Sequence, residues 1–169
     1  MTEELHFSNS AIRRQDRLLG EEEAAALLRK GEYAFLSLVE SRSGQTAAYG
    51  LPVSYVWDGG RHIYFHCAPE GHKLGCIDRW PQVSLCVVGR TRVIPDKFTT
   101  GYESVIVRGT MARKLPEAER MEAVRLLLRK YSAGFEATGM EYAAKSLGRT
   151  EILRMDIESS SGKSKRTGL

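Results

Sequence analysis

The side chains best suited to chemistry lie between His62 and Trp80, in the sequence HIYFHCAPEGHKLGCIDRW. A β-branched and aromatic run gives way to Ala-Pro-Glu-Gly, and a helical pattern then starts at His72. A helix N-terminus attracts anions through its free backbone N–H groups and the positive end of its dipole, and Lys73 adds a full charge. The stretch therefore predicts a strand–turn–helix corner that can hold a phosphate.

The histidines of this stretch raise the question of a metal site. His62 and His66 point the same way from one strand but lie about 13 Å apart along it, so they cannot share a metal ion. His72 and Cys76 are four residues apart on the predicted helix and could share one. No second pair with zinc-finger spacing occurs in the sequence. Packing or surface roles are therefore favoured, and no metal is expected.

The three cysteines are an odd number without a recognisable disulfide spacing, which favours reduced thiols in a cytoplasm. Cys86 lies in an apolar strand and is expected to be inert. Cys67 lies beside the turn, where a helix end could lower the pKa of its thiol. A catalytic thiol is the weaker hypothesis.

Most of the elements that must position this corner are predicted strands. A helix is predicted over residues 21–30, with three glutamates in its first turn and Gly31 after its last residue. Pro52 favours an edge, a bulge or a bend, and Gly109 favours a bulge. Strands are predicted over 33–40, 46–57, 61–67, 83–94, 102–115 and 150–158, and further helices over 72–79, from Pro116 to about Tyr131, and over 140–147. Six strands in hairpin succession with inserted helices predict an antiparallel barrel with peripheral helices.

The chain of 169 residues is expected to form a single domain. Residues 1–17 are interpreted as an N-terminal arm or edge strand that covers a partner surface, and residues 159–169 as a flexible basic tail. That tail accounts for most of the net charge of +4, so nucleic-acid binding is disfavoured. The sequence contains no apolar run long enough to span a membrane, and because residues 1–10 lack a basic region followed by an apolar one, secretion is not expected.

Four segments together resemble the pyridoxamine 5′-phosphate oxidase-related flavoproteins: LPVSYVWD, IYFHCAPEGHKLGCI, PQVSLCVVG and VIPDKFTTGYESVIVRG. Within that group the pattern is most similar to the nitroimidazole-resistance (Nim-type) proteins. The similarity runs from about Arg13 to Lys163. It implies a mainly β fold, a six-stranded antiparallel Greek-key split β-barrel with peripheral helices. It also implies a homodimer with FMN sites at the subunit interface.

The resemblance also implies roles for individual residues. His72 is implied as the catalytic residue, beside the flavin and the substrate pocket, and Gly71 with Lys73 as part of the turn that grips the phosphate. The strand after Pro52 is expected to lie along the flavin ring. The segment from Thr100 to Ser104 is expected to reach the site, either in the same chain or from the partner subunit across the interface. The implied cofactor-binding residues are Val53, Ser54, Tyr55, His66, Cys67, Ala68, Gly71, His72, Lys73, Thr100, Tyr102, Glu103 and Ser104.

The implied activity is that of an FMN-dependent oxidoreductase that passes electrons from a nicotinamide donor to a small acceptor such as a nitroaromatic. The arginine-rich motifs of the typical oxidase are not evident, which disfavours pyridoxamine phosphate as substrate. Gly101 stands where the family more often has asparagine. Two alternatives stay open. One is a split barrel that binds haem, with His66 or His72 as axial ligand, or a deazaflavin. The other is a non-catalytic dimer with a vestigial pocket.

Overall fold

The computed structural model of the protein describes residues 5–167. Seven strands form one antiparallel sheet in the order β2-β1-β5-β6-β7-β4-β3. The strands are β1 (Ala34–Arg42), β2 (Gln45–Val53), β3 (Val56–Trp57), β4 (His62–Cys67), β5 (Gln82–Ile94), β6 (Thr99–Ala112) and β7 (Glu151–Lys165). The prediction of a mainly β, antiparallel fold with helices is confirmed.

Within residues 5–167, four helices and three short 3₁₀ turns flank the sheet. The helices are α1 (Glu21–Lys30), α2 (His72–Arg79), α3 (Glu117–Tyr131) and α4 (Glu136–Ser146), and the turns are Gln15–Arg17, Pro95–Lys97 and Leu147–Arg149. The predicted limits of α1 and α2 are confirmed. None of the helices in residues 5–167 is both long enough and apolar enough to cross a lipid bilayer.

The sheet has seven strands where six were predicted, because the long strand predicted over 46–57 breaks at Ser54 and Tyr55. Its first part, β2, lies at one edge of the sheet, and its second part, β3, lies at the other. Pro52 thus lies on an edge strand, as predicted. Three residue steps from Val53 to Val56 span at most about 11 Å. The sheet must therefore curl until its two edges meet at this corner.

Gly109 marks a break in the register between β6 and β7, which shifts between Arg108 and Gly109. A Cβ atom at this position would lie 2.1 Å from the carbonyl oxygen of Asp156. The backbones can approach this closely only because the residue has no side chain. The predicted irregularity at Gly109 is confirmed, but the extra residue lies on β7: Arg108 is paired with Ser159 and Gly109 with Ile157, which leaves Glu158 without a partner in this ladder.

The prediction of a flexible tail from residue 159 is wrong for residues 159–165, which belong to β7. Ser160 and Ser164 are buried because the N-terminal arm covers them. The Ser160 hydroxyl donates to the Leu5 carbonyl oxygen at 2.8 Å, and that of Ser164 donates to the Leu18 carbonyl oxygen at 3.3 Å. The arm therefore packs on β7 of its own chain. Residues 1–4, 168 and 169 lie outside the described residues, and the contact of the arm with a partner stays a prediction.

The main hydrophobic core fills the inside of the curled sheet. Its fully buried side chains include Leu36, Leu85, Val105, Met155 and Ile157, one or more from each of β1, β5, β6 and β7. A smaller cluster lies under α3, where Ala123 and Leu127 pack with Tyr64 and Ile152. The sheet is thus a rigid wall against which a site can be built.

Candidate functional site

One groove of about 530 Å³ lies where β2, β4 and α2 come together, within the roughly 300–1,000 Å³ typical of small-molecule sites. We call it the main groove. Its lining residues are Leu36, Leu51, Pro52, Val53, Ser54, Phe65, His66, Cys67, Ala68, Lys73, Arg149, Thr150 and Leu153. Among these described residues Lys73 and Arg149 are the fixed cations, and none carries a carboxylate. The main groove therefore suits a ligand with an apolar body and an anionic end.

The turn after β4 brings Lys73 to the main groove. Gly71 precedes α2 with a φ of 140°, a backbone conformation that favours glycine. The helix then starts at His72, and the Leu74 amide donates back to the Gly71 carbonyl oxygen at 3.1 Å. Gly71 itself does not line the groove, so its contribution is the geometry of the turn.

Six of the predicted cofactor-binding residues line the main groove together. They are Val53, Ser54, His66, Cys67, Ala68 and Lys73. They come from the end of β2, the end of β4 and the start of α2. The last two belong to the predicted strand–turn–helix corner, and the residues after Pro52 were implied by the resemblance. Burial, above all, raises the pKa of the Cys67 thiol, and the nearby Lys73 only partly offsets this. Since the thiol form is favoured, Cys67 is better suited to lining the groove than to acting as a nucleophile.

Tyr55 belongs to the core rather than to the groove wall. Its side chain is 0 % exposed, and its hydroxyl donates to the Leu28 carbonyl oxygen at 2.6 Å. Burial and the neighbouring Tyr131 raise the pKa of this phenol far above its usual value. The Tyr55 side chain does not line the main groove, and its role in cofactor binding stays a prediction.

His72 lies outside the main groove. Its Nε2 atom is 2.7 Å from a carboxylate oxygen of Glu40, and its ring makes an edge contact with Tyr49 at a centroid distance of 4.9 Å. The Cys76 sulfur lies 3.6 Å from the same nitrogen. No group of three side chains suited to a metal ion occurs within residues 5–167. The catalytic role of His72 stays a prediction.

The predicted residues on β6 do not reach the main groove within one chain. Thr100, Tyr102, Glu103 and Ser104 lie on the strand that pairs with β5 and β7. The Glu103 carboxylate accepts a hydrogen bond from the Arg90 amide at 3.2 Å and lines a separate cavity beside α1. A contribution from the partner subunit stays a prediction.

Sequence reasoning missed two residues of the main groove, Arg149 and Thr150. They come from the 3₁₀ turn and the residue that connect α4 to β7. A single arginine in a polar connection looks like any solvated surface residue. Only the antiparallel pairing of β4 with β7, which sets Cys67 opposite Glu151, brings this connection beside the predicted corner.

Two further cavities adjoin the main groove. The helical cavity, of about 460 Å³, is lined by α3, α4 and the sheet and shares Ser54, His66 and Thr150 with the main groove. The lysine cavity, of about 650 Å³, is lined by Arg29, Lys30, Glu32, Tyr33, Ser54, Lys130 and Tyr131. Ser54 lines all three spaces. They therefore meet at the corner where the two edges of the sheet come together.

The sequence matches a profile of the pyridoxamine 5′-phosphate oxidase family over residues 20–164. No curated protein matches at a significant level. Among solved structures, the chain is similar to a candidate 5-nitroimidazole antibiotic resistance protein from Bacteroides thetaiotaomicron. The two are 14 % identical with a TM-score of 0.67, over 88 % of this chain and 86 % of that one.

Two other similar structures come from flavin-binding proteins. A FAD and heme binding protein from Mycobacterium smegmatis is 20 % identical, with a TM-score of 0.71 over 88 % of this chain and 73 % of that one. A FAD-binding protein from Mesorhizobium loti is 21 % identical, with a TM-score of 0.61 over 88 % of this chain and 97 % of that one. At identities this low, the TM-scores of these structures show a shared fold and nothing more. The family match spans most of the sequence, including the whole main groove, and the chain belongs to the pyridoxamine 5′-phosphate oxidase family.

Proposed function

We propose that the chain binds FMN in the main groove and reduces small acceptors such as nitroaromatics. The observation that carries this proposal is the composition of the groove, which combines two cations with an apolar wall. FMN has the same two parts, a dianionic phosphate and a flat, largely apolar ring.

The residues of the main groove fit each part of FMN. Lys73, next to the N-terminus of α2, and Arg149 on the opposite connection would hold the phosphate. Leu51, Pro52 and Val53 would cover the ring along β2. A carboxylate in the groove would repel the phosphate, and none of the described lining residues carries one.

A bound flavin would supply the transfer of two electrons from a nicotinamide donor to the acceptor. An acceptor nitro group would also take up two protons, lose one water molecule and become a nitroso group. The protein would supply the binding and the position of a proton donor. His66 lines both the main groove and the helical cavity, whereas His72 is held by Glu40. His66 is therefore the better placed imidazole to donate a proton at the acceptor.

We further propose that the sheet forms a split barrel and that two chains form a homodimer. Phe35 and Val88 are 48 % and 50 % exposed and lie on one face of the sheet, because Phe35 is paired with Cys86, two residues before Val88. Ser104 is opposite Val88 on β6. A partner that covers this apolar face would contact Ser104, which supports a contribution from the β6 residues across the interface.

The absorbance spectrum of the purified protein, followed by titration with FMN, tests the cofactor. We expect a flavin spectrum, or uptake of one FMN per chain, and oxidation of a nicotinamide donor in the presence of a nitroaromatic. Absence of FMN binding would contradict the proposal. Light scattering tests the dimer, since a mass of 18.9 kDa, that of one chain, would exclude it.

Haem is a second candidate, favoured by one observation. His66 is an exposed imidazole on the wall of the main groove, with no hydrogen bond to another residue within the described chain. The similar protein from Mycobacterium smegmatis is named as binding heme as well as FAD. A Soret band after addition of hemin, together with no uptake of FMN, would favour this candidate over the flavin.

A further inference from the structure

The helical cavity has an apolar wall that the proposed cofactor does not use. Residues from α3 and α4 form most of it: Val124, Leu127, Leu128, Gly139, Tyr142 and Ala143. The two helices are in close contact at one end, where a Cβ atom on Gly139 would lie 2.5 Å from Leu128 Cδ2. The wall therefore has a fixed shape, set by the packing of α4 on α3.

The polar groups on this wall are mostly satisfied by the protein itself. The Ser146 hydroxyl donates to the Tyr142 carbonyl oxygen at 3.0 Å, and the Thr150 hydroxyl donates to the Ser146 carbonyl oxygen at 3.3 Å. The Tyr131 hydroxyl is bonded to the backbone of Glu32 and Tyr55. Among the described lining residues none is an acid, lysine or arginine. An uncharged ligand is favoured, because a charged one would lose its hydration without gaining a partner.

The polar side of the helical cavity is the side that it shares with the main groove. Ser54, His66 and Thr150 line both spaces, so a molecule in the cavity and one in the groove would face each other across these residues. Of the three, His66 has a side chain without a hydrogen bond to another described residue, whereas the Ser54 hydroxyl is hydrogen-bonded to that of Tyr131 and the Thr150 hydroxyl to the Ser146 carbonyl oxygen. The free imidazole of His66 therefore lies where the two ligands would meet.

We propose that the helical cavity is the acceptor site and that it takes a small, uncharged aromatic molecule, with the group to be reduced directed at His66. This inference rests on the proposed function, since it names the site and the chemical class of the acceptor for the same reductase. The volume of about 460 Å³ accommodates a molecule of one or two rings.

Binding of nitrobenzene to the purified full-length protein tests the proposal. Ala143 is buried on the cavity wall, whereas Ala144, its neighbour on α4, is exposed and does not line the cavity. Ala143→Leu fills the cavity and is expected to weaken nitrobenzene binding about tenfold or more. Ala144→Leu makes the same chemical change on the solvent side and is expected to leave binding unchanged. Val124→Phe fills the cavity from α3 and provides a second, independent variant, with circular dichroism as the check on folding.

The FMN affinity of each variant separates this inference from the proposed function. We expect Ala143→Leu and Val124→Phe to bind FMN like the unchanged protein. Nitrobenzene binding that survives both substitutions, or that is absent from the unchanged protein, would overturn the acceptor site even if FMN is bound. Equal affinity for 4-nitrobenzoate would overturn the preference for an uncharged ligand. Nitrobenzene binding that Ala143→Leu weakens, without any FMN uptake, would support the cavity and contradict only the proposed function.

Discussion

The hydroxyl of Tyr131 is hydrogen-bonded to both backbone groups of Tyr55. It lies 2.8 Å from the Tyr55 carbonyl oxygen, to which it donates, and 3.0 Å from the Tyr55 amide nitrogen, from which it accepts. The same hydroxyl is 2.6 Å from the Glu32 carbonyl oxygen. The last residue of α3 is thus tied to the corner where β2 and β3, the two edges of the sheet, are joined.

Tyr131→Phe removes these hydrogen bonds while keeping the ring. We expect the free energy of unfolding to fall by about 1–3 kcal/mol, because the partly buried amide and carbonyl of Tyr55 lose a partner. Urea denaturation measures the change. Tyr33→Phe is the control, since the Tyr33 hydroxyl makes no hydrogen bond within the described residues and its side chain is 56 % exposed. Equal stability of the two variants would show that the contact with Tyr55 is dispensable.

Lys130 makes the free energy of unfolding depend on pH in the alkaline range. Burial lowers the pKa of its ammonium from 10.5 to about 8, although a hydrogen bond to the Tyr55 carbonyl oxygen and the Tyr55 ring, 3.7 Å away, favour the charged form. Between these two values the unfolded chain binds more protons than the folded one. The contribution of Lys130 to stability therefore rises with pH across that window and is lost as the pH falls through about 8.

Lys130→Met removes this dependence. We expect the unfolding free energy of the unchanged protein, minus that of the variant, to increase from about pH 7.5 to about pH 9.5. Lys145→Met, at an exposed position on α4, is the control and is expected to give a constant difference. A difference for Lys130→Met that does not change with pH would mean that the ammonium titrates alike in both states.

Lys73→Ala tests the phosphate end of the main groove. We expect FMN affinity to fall by about 1.5–3 kcal/mol, or about 10- to 150-fold, because a charge-assisted contact with the phosphate is lost. Fluorescence titration of FMN measures the effect. Lys97→Ala, an exposed lysine in the 3₁₀ turn between β5 and β6, should bind like the unchanged protein. Unaltered affinity in Lys73→Ala would remove Lys73 from the cofactor site.

Gly109→Ala tests the close approach of β6 and β7. The added Cβ atom would lie 2.1 Å from the Asp156 carbonyl oxygen, so the strands must move apart. We expect a loss of about 1–3 kcal/mol in the free energy of unfolding. Gly148→Ala is the matched control, because no atom lies within 4 Å of its added Cβ. Similar thermal unfolding of both variants would show that the bulge tolerates a side chain.

The elements that local residue chemistry specifies could be predicted from the sequence. The limits of α1 could be predicted because three glutamates mark its start and a glycine follows its last residue. The corner at Gly71 and Lys73 was predicted from the change of periodicity at Ala68. Six groove residues followed from that corner and from the resemblance, because they lie within a few residues of the turn or of Pro52.

The features that depend on distant partners could not be predicted. The sequence SSSGKSK has no apolar alternation, and it is a strand because β6 and the N-terminal arm supply its partners. The burial of Tyr55 depends on α1, whose residues pack with it in the core and whose Leu28 carbonyl oxygen accepts a hydrogen bond from the Tyr55 hydroxyl. Arg149 reaches the main groove only through the pairing of β4 with β7.

The position of Ser54 limits which substitutions can change the ligand specificity of this protein. Residues such as Lys73 and Ala143 each border one compartment, so a change there would alter a single property. Ser54 borders three, and a larger residue there would narrow all of them at once. Variants selected for a new substrate are therefore expected to accumulate on α3 and α4, with position 54 the last to change.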